Sequence, residues 1–462
     1  MKKQFIYAAL CIALMSSCSK DNDPGSISEP TTNTPDVIDE GSPVAIELGV
    51  GAPQVSVSTR GTGAAGVNDD EVALWDEQEL KILMTKKNSL VSAKEDPNDP
   101  DSPYIFDGLT FNAPASTIND PANMKITNTT GAVKYYPLQG AYDFYGFSFD
   151  DAVVEGGFEY PEKSEDDKTI EYNLTINGTQ DIMIAKAELT DAQKGAASGD
   201  GKLAEEDYAK AFSSWAARRG VQPTMNFKHL LSRLDFVAKV GANVDGGTEI
   251  TINDNEYSTK WPATQGYPQP DESNKIKNGV YIKSIKVLDP KSKITVTIAN
   301  LNTPGQTGIT ASTEDEGISS FTLMRKPTSD EIEENQSKNL VELTPVTPGS
   351  ALDEELPIGN GIMIVPGENS FQMEIELMQY VMEHDGSAAP DYPQSYTWKE
   401  STLQTTVKLN AQEPSKVFEA GNYYTITTTI FGFQDIEVTA TLSKWEDGGD
   451  ISTNPEDDAF NQ

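Results

Sequence analysis

Residues 226–240 read NFKHLLSRLDFVAKV and carry the clearest change of pattern in this 462-residue chain. From Leu234 to Val240 every second residue is apolar, which is the period of a strand that packs one face on a core. Just upstream, the apolar spacing from Phe227 to Leu234 suits a helical turn or a bulge equally well. The stretch therefore predicts a strand near the midpoint of the chain, preceded by either a helical turn or a bulge.

The composition extends this pattern to the whole chain. With 35 Gly and 27 Pro the sequence has few long helical patterns, which favours short strands joined by turns. Its length gives room for two domains of roughly 150 to 250 residues, each with a core. We predict a mostly β protein.

The formal net charge of −37 limits the partners of the chain. Such an acidic surface repels phosphate backbones and anionic membrane surfaces at long range. We therefore expect no nucleic-acid partner, and we expect any membrane attachment to be covalent.

The N-terminus predicts such an attachment. Lys2 and Lys3 precede an apolar run over residues 5–15, and small residues then lead to Cys18. This is a lipoprotein signal peptide over residues 1–18, and the run is too short for the roughly 20 residues of a membrane-spanning helix. The chain has two cysteines, Cys11 and Cys18. Cleavage before a lipidated Cys18 would remove Cys11 and leave a chain without disulfides.

A polar tether and a strand-like leader follow the predicted lipid site. Residues 19–43 are rich in Pro, Thr, Ser, Asn and Asp and cannot bury enough surface to order themselves. Apolar residues then alternate along a leader that ends before Arg60 and Gly61, in a Gly-rich segment of the kind that proteases cut. A loop arginine without a role is the simpler alternative for Arg60. The apolar leader residues are Val44, Ile46, Leu48, Val50, Val55 and Val57.

The region up to residue 225 contains further short strands and one helical pattern. In residues 142–147, YDFYGF, both faces are aromatic, which favours a central strand buried on both sides over an exposed stacking platform. The Asp-rich segment 96–101 lacks the glycine of a calcium loop and is interpreted as a solvated loop. Residues 203–219 show an apolar stripe, acidic first turns and basic last turns, which predicts a helix that packs on a sheet.

Catalytic constellations are missing from the sequence. His229 has no metal-ligand spacing around it and no cysteine or second histidine close by, so a structural role in or near the core is favoured. No carboxylate pair stands out among the 72 acidic residues. We expect no enzymatic activity, no cofactor and no metal.

Several motifs, taken in order, resemble the fimbrillin-like lipoproteins of Bacteroidales, the FimA-like and Mfa-like family. Each is weak alone, and the resemblance lies in their sequence along the chain from residue 55 to 449. The motifs are DIM at 181–183 followed by FKHLLSRLDF at 227–236, YYP at 135–137 before the aromatic strand, IMIVPG at 362–367, GNYYTITTTI at 421–430 and IEVTATLSKW at 436–445.

The resemblance implies a fold and a function. It implies two transthyretin-like β-sandwich domains in tandem, over residues 44–225 and 226–462, with a short helical insertion. It also implies an outer membrane lipoprotein, exposed at the surface, whose partners are other fimbrial subunits. In that family a cut at the position of Arg60 and Gly61 frees the leader strand, and a strand of the next subunit replaces it. The candidate donor strand comprises Ile436, Val438, Ala440 and Leu442.

The C-terminal tail departs from the family pattern. After Trp445 it is acidic and holds Pro455 between its two large apolar residues, which makes it a poor donor strand. Either the strand at 436–444 swings out to serve as donor, or the subunit accepts a donor without giving one. The second option describes a tip or accessory subunit, with a surface for a host or bacterial ligand, and we favour it over a stalk subunit.

A monomeric, outer-membrane surface glycan-binding lipoprotein is the alternative function. It shares the acidic charge, the tether and the β-sandwiches. It predicts that aromatic residues such as Trp261, Tyr267 and Trp398 form an exposed flat platform, and that a cut at Arg60 changes nothing.

Overall fold

The computed structural model describes thirteen stretches of the chain. These are residues 41–50, 78–106, 110–112, 125–195, 201–241, 247–312, 317–329, 331–332, 340–348, 355–383, 395–409, 415–433 and 435–443. Strands dominate these residues and helices are short, so the predicted mostly β class is confirmed.

The strands are numbered β1 to β24 in chain order. The first eight are β1 Leu48–Val50, β2 Glu79–Lys86, β3 Thr110–Asn112, β4 Lys125–Asn128, β5 Tyr142–Ser148, β6 Val153–Val154, β7 Thr169–Thr175 and β8 Met183–Lys186. The next eight are β9 Thr224–Met225, β10 Lys228–His229, β11 Ser232–Val240, β12 Glu249–Thr251, β13 Lys275–Lys277, β14 Val280–Leu288, β15 Lys293–Asn300 and β16 Gly308–Ala311. The last eight are β17 Ser320–Thr322, β18 Met324–Arg325, β19 Val341–Glu342, β20 Leu356–Ile364, β21 Ser370–Glu383, β22 Ser395–Lys408, β23 Tyr423–Gly432 and β24 Asp435–Ser443.

The N-terminal part forms an eight-stranded sheet in the order β10-β8-β5-β2-β3-β4-β1-β9. Its two end strands, β9 and β10, are only two residues apart in the chain, so the sheet curls back toward itself. The first core cluster lies on one face of this sheet and includes Leu80, Phe144 and Met225.

Strand β5 lies in the middle of this sheet and is buried along its whole length. Phe144 contributes to the first core cluster, and Tyr145 and Phe147 contribute to the larger cluster on the other face. A Cβ on Gly146 would lie 2.7 Å from the side chains of Met225 and Phe227, so these two side chains pack directly on the backbone of β5. The prediction of a central strand with two buried faces is confirmed.

The C-terminal part contains two four-stranded sheets that share the larger core cluster. Strand β11 is central in the sheet ordered β20-β11-β23-β24, antiparallel to β20 and parallel to β23. The other sheet has the order β17-β14-β21-β22. Leu234, Phe236 and Ala238 are buried in the shared core, as the two-residue period of the sequence predicts. The entry to β11 contains the short strand β10 rather than a helical turn.

A third four-stranded sheet, ordered β16-β15-β7-β6, joins residues from both sides of position 225. Strand β7 pairs with β15 from Thr169 opposite Asn300 to Thr175 opposite Lys293. The parts before and after residue 225 therefore share main-chain hydrogen bonds. The division into domains at residues 225 and 226 stays a prediction.

The helix predicted over residues 203–219 is wrong in its extent. The structure has a 3-10 helix over Glu205–Lys210 and one α-helical turn, α1, over Ser214–Ala217. Between them Phe212 has φ of 60°, and its ring packs edge-on against Phe144 at 6.0 Å. A positive φ is unfavourable for a bulky side chain, so burial of this ring in the core overrides the helical pattern.

Candidate functional site

The site that the sequence singles out is the leader, and the structure describes its residues 44–50, which we call the leader segment. Leu48 and Val50 are each 2 % exposed and belong to the first core cluster. Val44 and Ile46 are half-buried and pack against the same cluster, whereas Glu47 is exposed. The described half of the leader therefore lies inside the fold with its apolar side chains on the core.

Strand β1 fills a gap between two other strands of the curled sheet. On one side it pairs antiparallel with β4, where Leu48 lies opposite Ile126. On the other side it pairs parallel with β9, where Val50 lies opposite Met225. We call the space between β4 and β9 the leader slot. Each ladder covers two residues of β1, so the leader segment has neighbours on both sides but few ladder bonds.

The N-terminal half of the leader segment is held by a separate strip of chain. Ile46 N donates to Lys134 O at 2.9 Å, and Tyr136 N donates to Val44 O at 3.0 Å. Further along, Gly49 N donates to Pro223 O at 2.9 Å. The leader segment is therefore held by two regions that are distant in sequence, residues 125–136 and residues 222–225.

Gln222 ties the polar edge of the slot together. Its Nε2 donates to Ala45 O at 3.2 Å, and its Oε1 accepts from the Tyr136 hydroxyl at 3.2 Å. Tyr136 is buried in the first core cluster, and burial, with a smaller contribution from Tyr142, raises the pKa of Tyr136 well above its ordinary value. The tyrosine therefore stays neutral and keeps its hydroxyl as a donor at physiological pH.

The leader segment is held in the slot mainly by the burial of its apolar side chains. Burying a Leu or Val side chain fully contributes roughly 1.5 to 3 kcal/mol, so Leu48 and Val50 together outweigh the short ladders. Taking the leader segment away would expose apolar groups of β4 and β9, including Ile126 and Met225, to water. A vacated slot would therefore present an apolar groove between β4 and β9.

The candidate donor strand coincides with β24. It lies at an edge of its sheet and pairs antiparallel with β23 along its length, with Ile436 opposite Ile430 and Leu442 opposite Tyr424. Val438 and Ala440 are partly buried against the larger core cluster. An isolated bridge also joins Ala440 to Leu409, so this strand contributes to its own core.

The other predicted residues of the maturation pathway lie outside the described residues. These are Cys18, Val55, Val57, Arg60 and Gly61. Lipidation and cleavage stay predictions. Within the described stretches no helix is long and apolar enough to cross a membrane.

His229 is buried where the N-terminal sheet leads into β11. Its Nδ1 lies 2.8 Å from Asp181 Oδ2, and His229 is paired with Met183 across β10 and β8. The two pieces of the central motif, Asp181–Met183 and Phe227–Phe236, thus meet in space. This geometry fits a histidine that orders the core. Among the described residues no group of three or more His, Cys, Asp or Glu side chains is placed to hold a metal ion.

The aromatic residues of the glycan-binding alternative do not form a flat platform. Trp398 is 8 % exposed, and its Nε1 donates to the Tyr257 hydroxyl at 3.1 Å. Trp261 and Tyr267 are half-buried against the same aromatic cluster. The Trp261 ring meets Tyr380 at 83°, and the Tyr267 ring meets Trp398 at 45°. The predicted exposed platform at these three residues is wrong, because the rings pack on one another.

The sequence did not identify the walls of the slot. The parallel pairing of β1 with β9 and the role of Gln222 join residues more than 170 positions apart. The one local signal was the Tyr-Tyr-Pro motif, whose Tyr136 lies against the leader segment.

Comparisons with known proteins concern the fold. No family model matches the chain, and no curated protein matches it. A solved structure of a protein assigned to cell adhesion from Bacteroides uniformis is similar at 14% identity and a TM-score of 0.37, covering 87% of this chain and 99% of its own. The tip fimbrial protein Mfa3 from Porphyromonas gingivalis is similar at 10% identity and a TM-score of 0.29, covering 87% of this chain and 100% of its own.

A fimbrilin, FimA, from Porphyromonas gingivalis is similar at 10% identity and a TM-score of 0.34, covering 87% of this chain and 97% of its own. At this level of similarity we base the function on the geometry of the chain itself. The structural neighbours are cell adhesion and fimbrial proteins of Bacteroides and Porphyromonas, the family that the sequence motifs resemble.

Proposed function

We propose that this chain is a fimbrial subunit, a tip or accessory subunit rather than a stalk subunit, that assembles by strand replacement. The precursor is anchored in the outer membrane through lipid on Cys18. A cut between Arg60 and Gly61 frees the leader, which leaves the leader slot for a strand of another subunit. The mature subunit then belongs to a surface fimbrium and can present a surface to a host or bacterial ligand.

The burial of Leu48 and Val50 between β4 and β9 carries this proposal. The leader segment completes the first core cluster, so its departure creates a site that only an extended, alternating apolar strand fits. Because the ladders on β1 are short, an incoming strand with longer ladders gains hydrogen bonds in addition to restoring the burial. Head-to-tail contacts of this kind grow open fibres rather than closed rings.

The position of β24 favours a tip or accessory subunit. If β24 served as donor it would leave β23 unpaired and withdraw Val438 and Ala440 from the larger core. That loss would have to be offset by the neighbouring subunit's slot. A subunit that keeps β24 in place accepts a donor strand and gives none.

One expectation of the glycan-binding alternative, an exposed aromatic platform, is not met. Its predicted platform at Trp261, Tyr267 and Trp398 is an interleaved aromatic cluster in which Trp398 is buried. Its second expectation, that a cut at Arg60 has no effect, is addressed by the same experiment as the proposal.

The experiment treats the purified full chain with an arginine-specific protease. We expect loss of the leader and capture of a labelled synthetic peptide with the sequence of residues 44–57. SDS-resistant ladders of the cleaved protein alone would indicate a stalk subunit that donates its own strand. Peptide capture without ladders would indicate a tip or accessory subunit.

The matched control is the Arg60→Lys variant, which the protease cannot cut at this position. The chain has four other arginines, Arg218, Arg219, Arg233 and Arg325, so this variant separates the effect of Arg60 from theirs. A cleaved wild-type chain that keeps its leader and captures no peptide would contradict strand replacement.

A further inference from the structure

A cleft separates the helical insertion from the end of the N-terminal sheet. It has a volume of about 320 Å³ and is lined by the turn after β2, the ends of β5 and β8, and the 3-10 helix. We call it the lysine cleft, because three lysines line it: Lys87, Lys186 and Lys194. It lies apart from the leader slot, since neither the leader segment nor any residue of β4 or β9 lines it.

The charge of the lysine cleft contrasts with that of the chain. Three lysines line it against two carboxylates, Asp143 and Glu188, in a protein whose formal net charge is −37. Both carboxylate oxygens of buried Asp143 are engaged within the protein. One lies 2.8 Å from Lys87 Nζ, and the other accepts from Asn88 N at 2.9 Å. Because Lys87 and Asp143 neutralise each other, the charge at the mouth of the cleft comes from Lys186, Lys194 and Glu188.

Lys186 and Lys194 are exposed at the mouth of the cleft. The Lys186 ammonium lies 5.5 Å from the ring centre of Tyr145. The Lys194 ammonium is 3.6 Å from Asp191, and the side chains of this pair are 47% and 89% exposed. An exposed pair of this kind contributes little and exchanges readily, so both ammonium groups can turn to an anion in the cleft.

The wall opposite the lysines is shaped by a strained residue. Phe212 has φ of 60° and is 2 % exposed, and it lines the cleft together with Tyr208 and Ala211. A bulky residue in this conformation persists only where the surrounding structure holds it, and such strain concentrates at functional positions. Here the conformation lies between the 3-10 helix and α1, and it places Phe212 on the wall of the cleft beside Tyr208.

From this geometry we infer that the lysine cleft binds a carboxylate-bearing monosaccharide, as the end residue of an acidic glycan. The volume is that of a small-ligand site for one sugar ring. Lys186 and Lys194 pair with the single carboxylate, and the Tyr208 ring packs against the sugar. Glu188 and Asn88 accept hydrogen bonds from the sugar hydroxyls. Inorganic phosphate has no ring to pack against Tyr208, and its higher negative charge is disfavoured beside Glu188. The inference does not depend on strand replacement.

The test titrates the purified full chain with sodium glucuronate and with N-acetylneuraminate by calorimetry at low ionic strength. We expect millimolar or tighter binding of at least one acidic sugar. Glucose, which lacks the carboxylate, and inorganic phosphate, which lacks the ring, should each bind at least tenfold more weakly. Added salt should weaken the binding of the acidic sugar, because salt screens the attraction of the exposed ammonium groups.

Three variants in the cleft and one control outside it locate the site. Lys186→Ala and Lys194→Ala should each weaken binding of the acidic sugar three- to tenfold, whereas Lys186→Arg should largely keep it. Lys277→Ala removes an exposed lysine in β13, outside the cleft, and should leave the affinity unchanged. These lysines are on the surface, so thermal unfolding should show that every variant folds like the wild type.

Three results would overturn the inference. The first is an acidic sugar that binds no more tightly than glucose. The second is phosphate that binds as tightly as the sugar acids, which would make the cleft a general anion site. The third is equal binding by the wild type, Lys186→Ala and Lys194→Ala. A chain that binds the sugar but fails strand replacement would keep this inference and lose the proposed function.

Discussion

The leader strand β1 and the candidate donor strand β24 are held in the fold in opposite ways. Strand β1 lies between two partners, yet each ladder covers only two of its residues. Strand β24 has a single strand partner in its sheet, yet pairs with it from Asp435 to Ser443. Side-chain burial therefore dominates at β1, and main-chain pairing dominates at β24.

This difference suits the two strands to different roles. A strand held by apolar side chains and few ladder bonds can be exchanged for another with a similar alternating pattern. A strand held by a continuous ladder is lost only when a long row of hydrogen bonds breaks together. Under the proposed function we expect the leader to be the strand that is replaced, and the following predictions test the contrast.

The largest effect is expected for Leu48→Ala in the leader segment. Removing a fully buried leucine side chain in a core that cannot collapse around it should lower the free energy of unfolding by about 2 to 5 kcal/mol. Denaturant titration of the full chain measures the loss. Hydrogen exchange should show the faster opening at β4 and β9 rather than at β23. A loss below about 1 kcal/mol would mean that the leader segment is only loosely seated.

The second-largest effect is expected at alkaline pH, which should lower the free energy of unfolding through Tyr136, the residue that bonds to Val44 of the leader segment. Tyrosines of an unfolded chain ionise near pH ~10, whereas burial and the neighbouring Tyr142 hold the pKa of Tyr136 well above its ordinary value. The stabilising contribution is therefore complete below pH ~10 and is lost as the pH rises, by up to about 1.4 kcal/mol per pH unit for one tyrosine.

The matched pair for this prediction is Tyr136→Phe and Tyr380→Phe. Burial raises the pKa of Tyr380 to about 12, in an aromatic cluster that is separate from the first core cluster. Unfolding measured between pH 8 and 12 should become less pH-dependent in both variants. Leader release after cleavage at Arg60 should lose its pH dependence only in Tyr136→Phe. Equal behaviour of the two variants would contradict a special role for Tyr136.

A smaller effect is expected for Val438→Ala in β24. Val438 is only partly buried, so the loss should be about 1 kcal/mol. Hydrogen exchange should speed up in β23 and β24 and stay unchanged in β1. A loss as large as that of Leu48→Ala would remove the contrast between the two strands.

The smallest effect is expected for Glu47→Ala, the exposed neighbour of Leu48. Its carboxylate pairs with Lys125 at 2.6 Å, and both side chains are about half exposed. Such surface pairs contribute about 0 to 1 kcal/mol. The same denaturant titration should give a loss within this range, and the peptide-capture assay should be unchanged.

The local sequence pattern predicted the strands that bury one face or both faces in a core. The period over Leu234–Val240 gave β11, and the aromatic content of residues 142–147 gave a strand with a core on each side. The alternation of the leader gave the inward side chains Leu48 and Val50. In each case the residues themselves supply the driving force, so little depends on distant partners.

Local pattern failed where a distant contact decides the conformation. Phe212 breaks a helical stripe because its ring reaches Phe144, about seventy positions away in the chain. Trp398 is buried because α2 (Tyr257–Lys260) brings Tyr257 over it. The lysine cleft has no motif at all, since its lysines come from separate segments.

The sequence by itself determined that this is an acidic, mostly β chain with an alternating leader ahead of Arg60, because composition and period act locally. The tertiary structure alone decided that the leader segment lies between β4 and β9. It also decided that β7 pairs with β15 across position 225, and that three lysines share a cleft. Strand partners are chosen by burial and register over long separations, which no local pattern records.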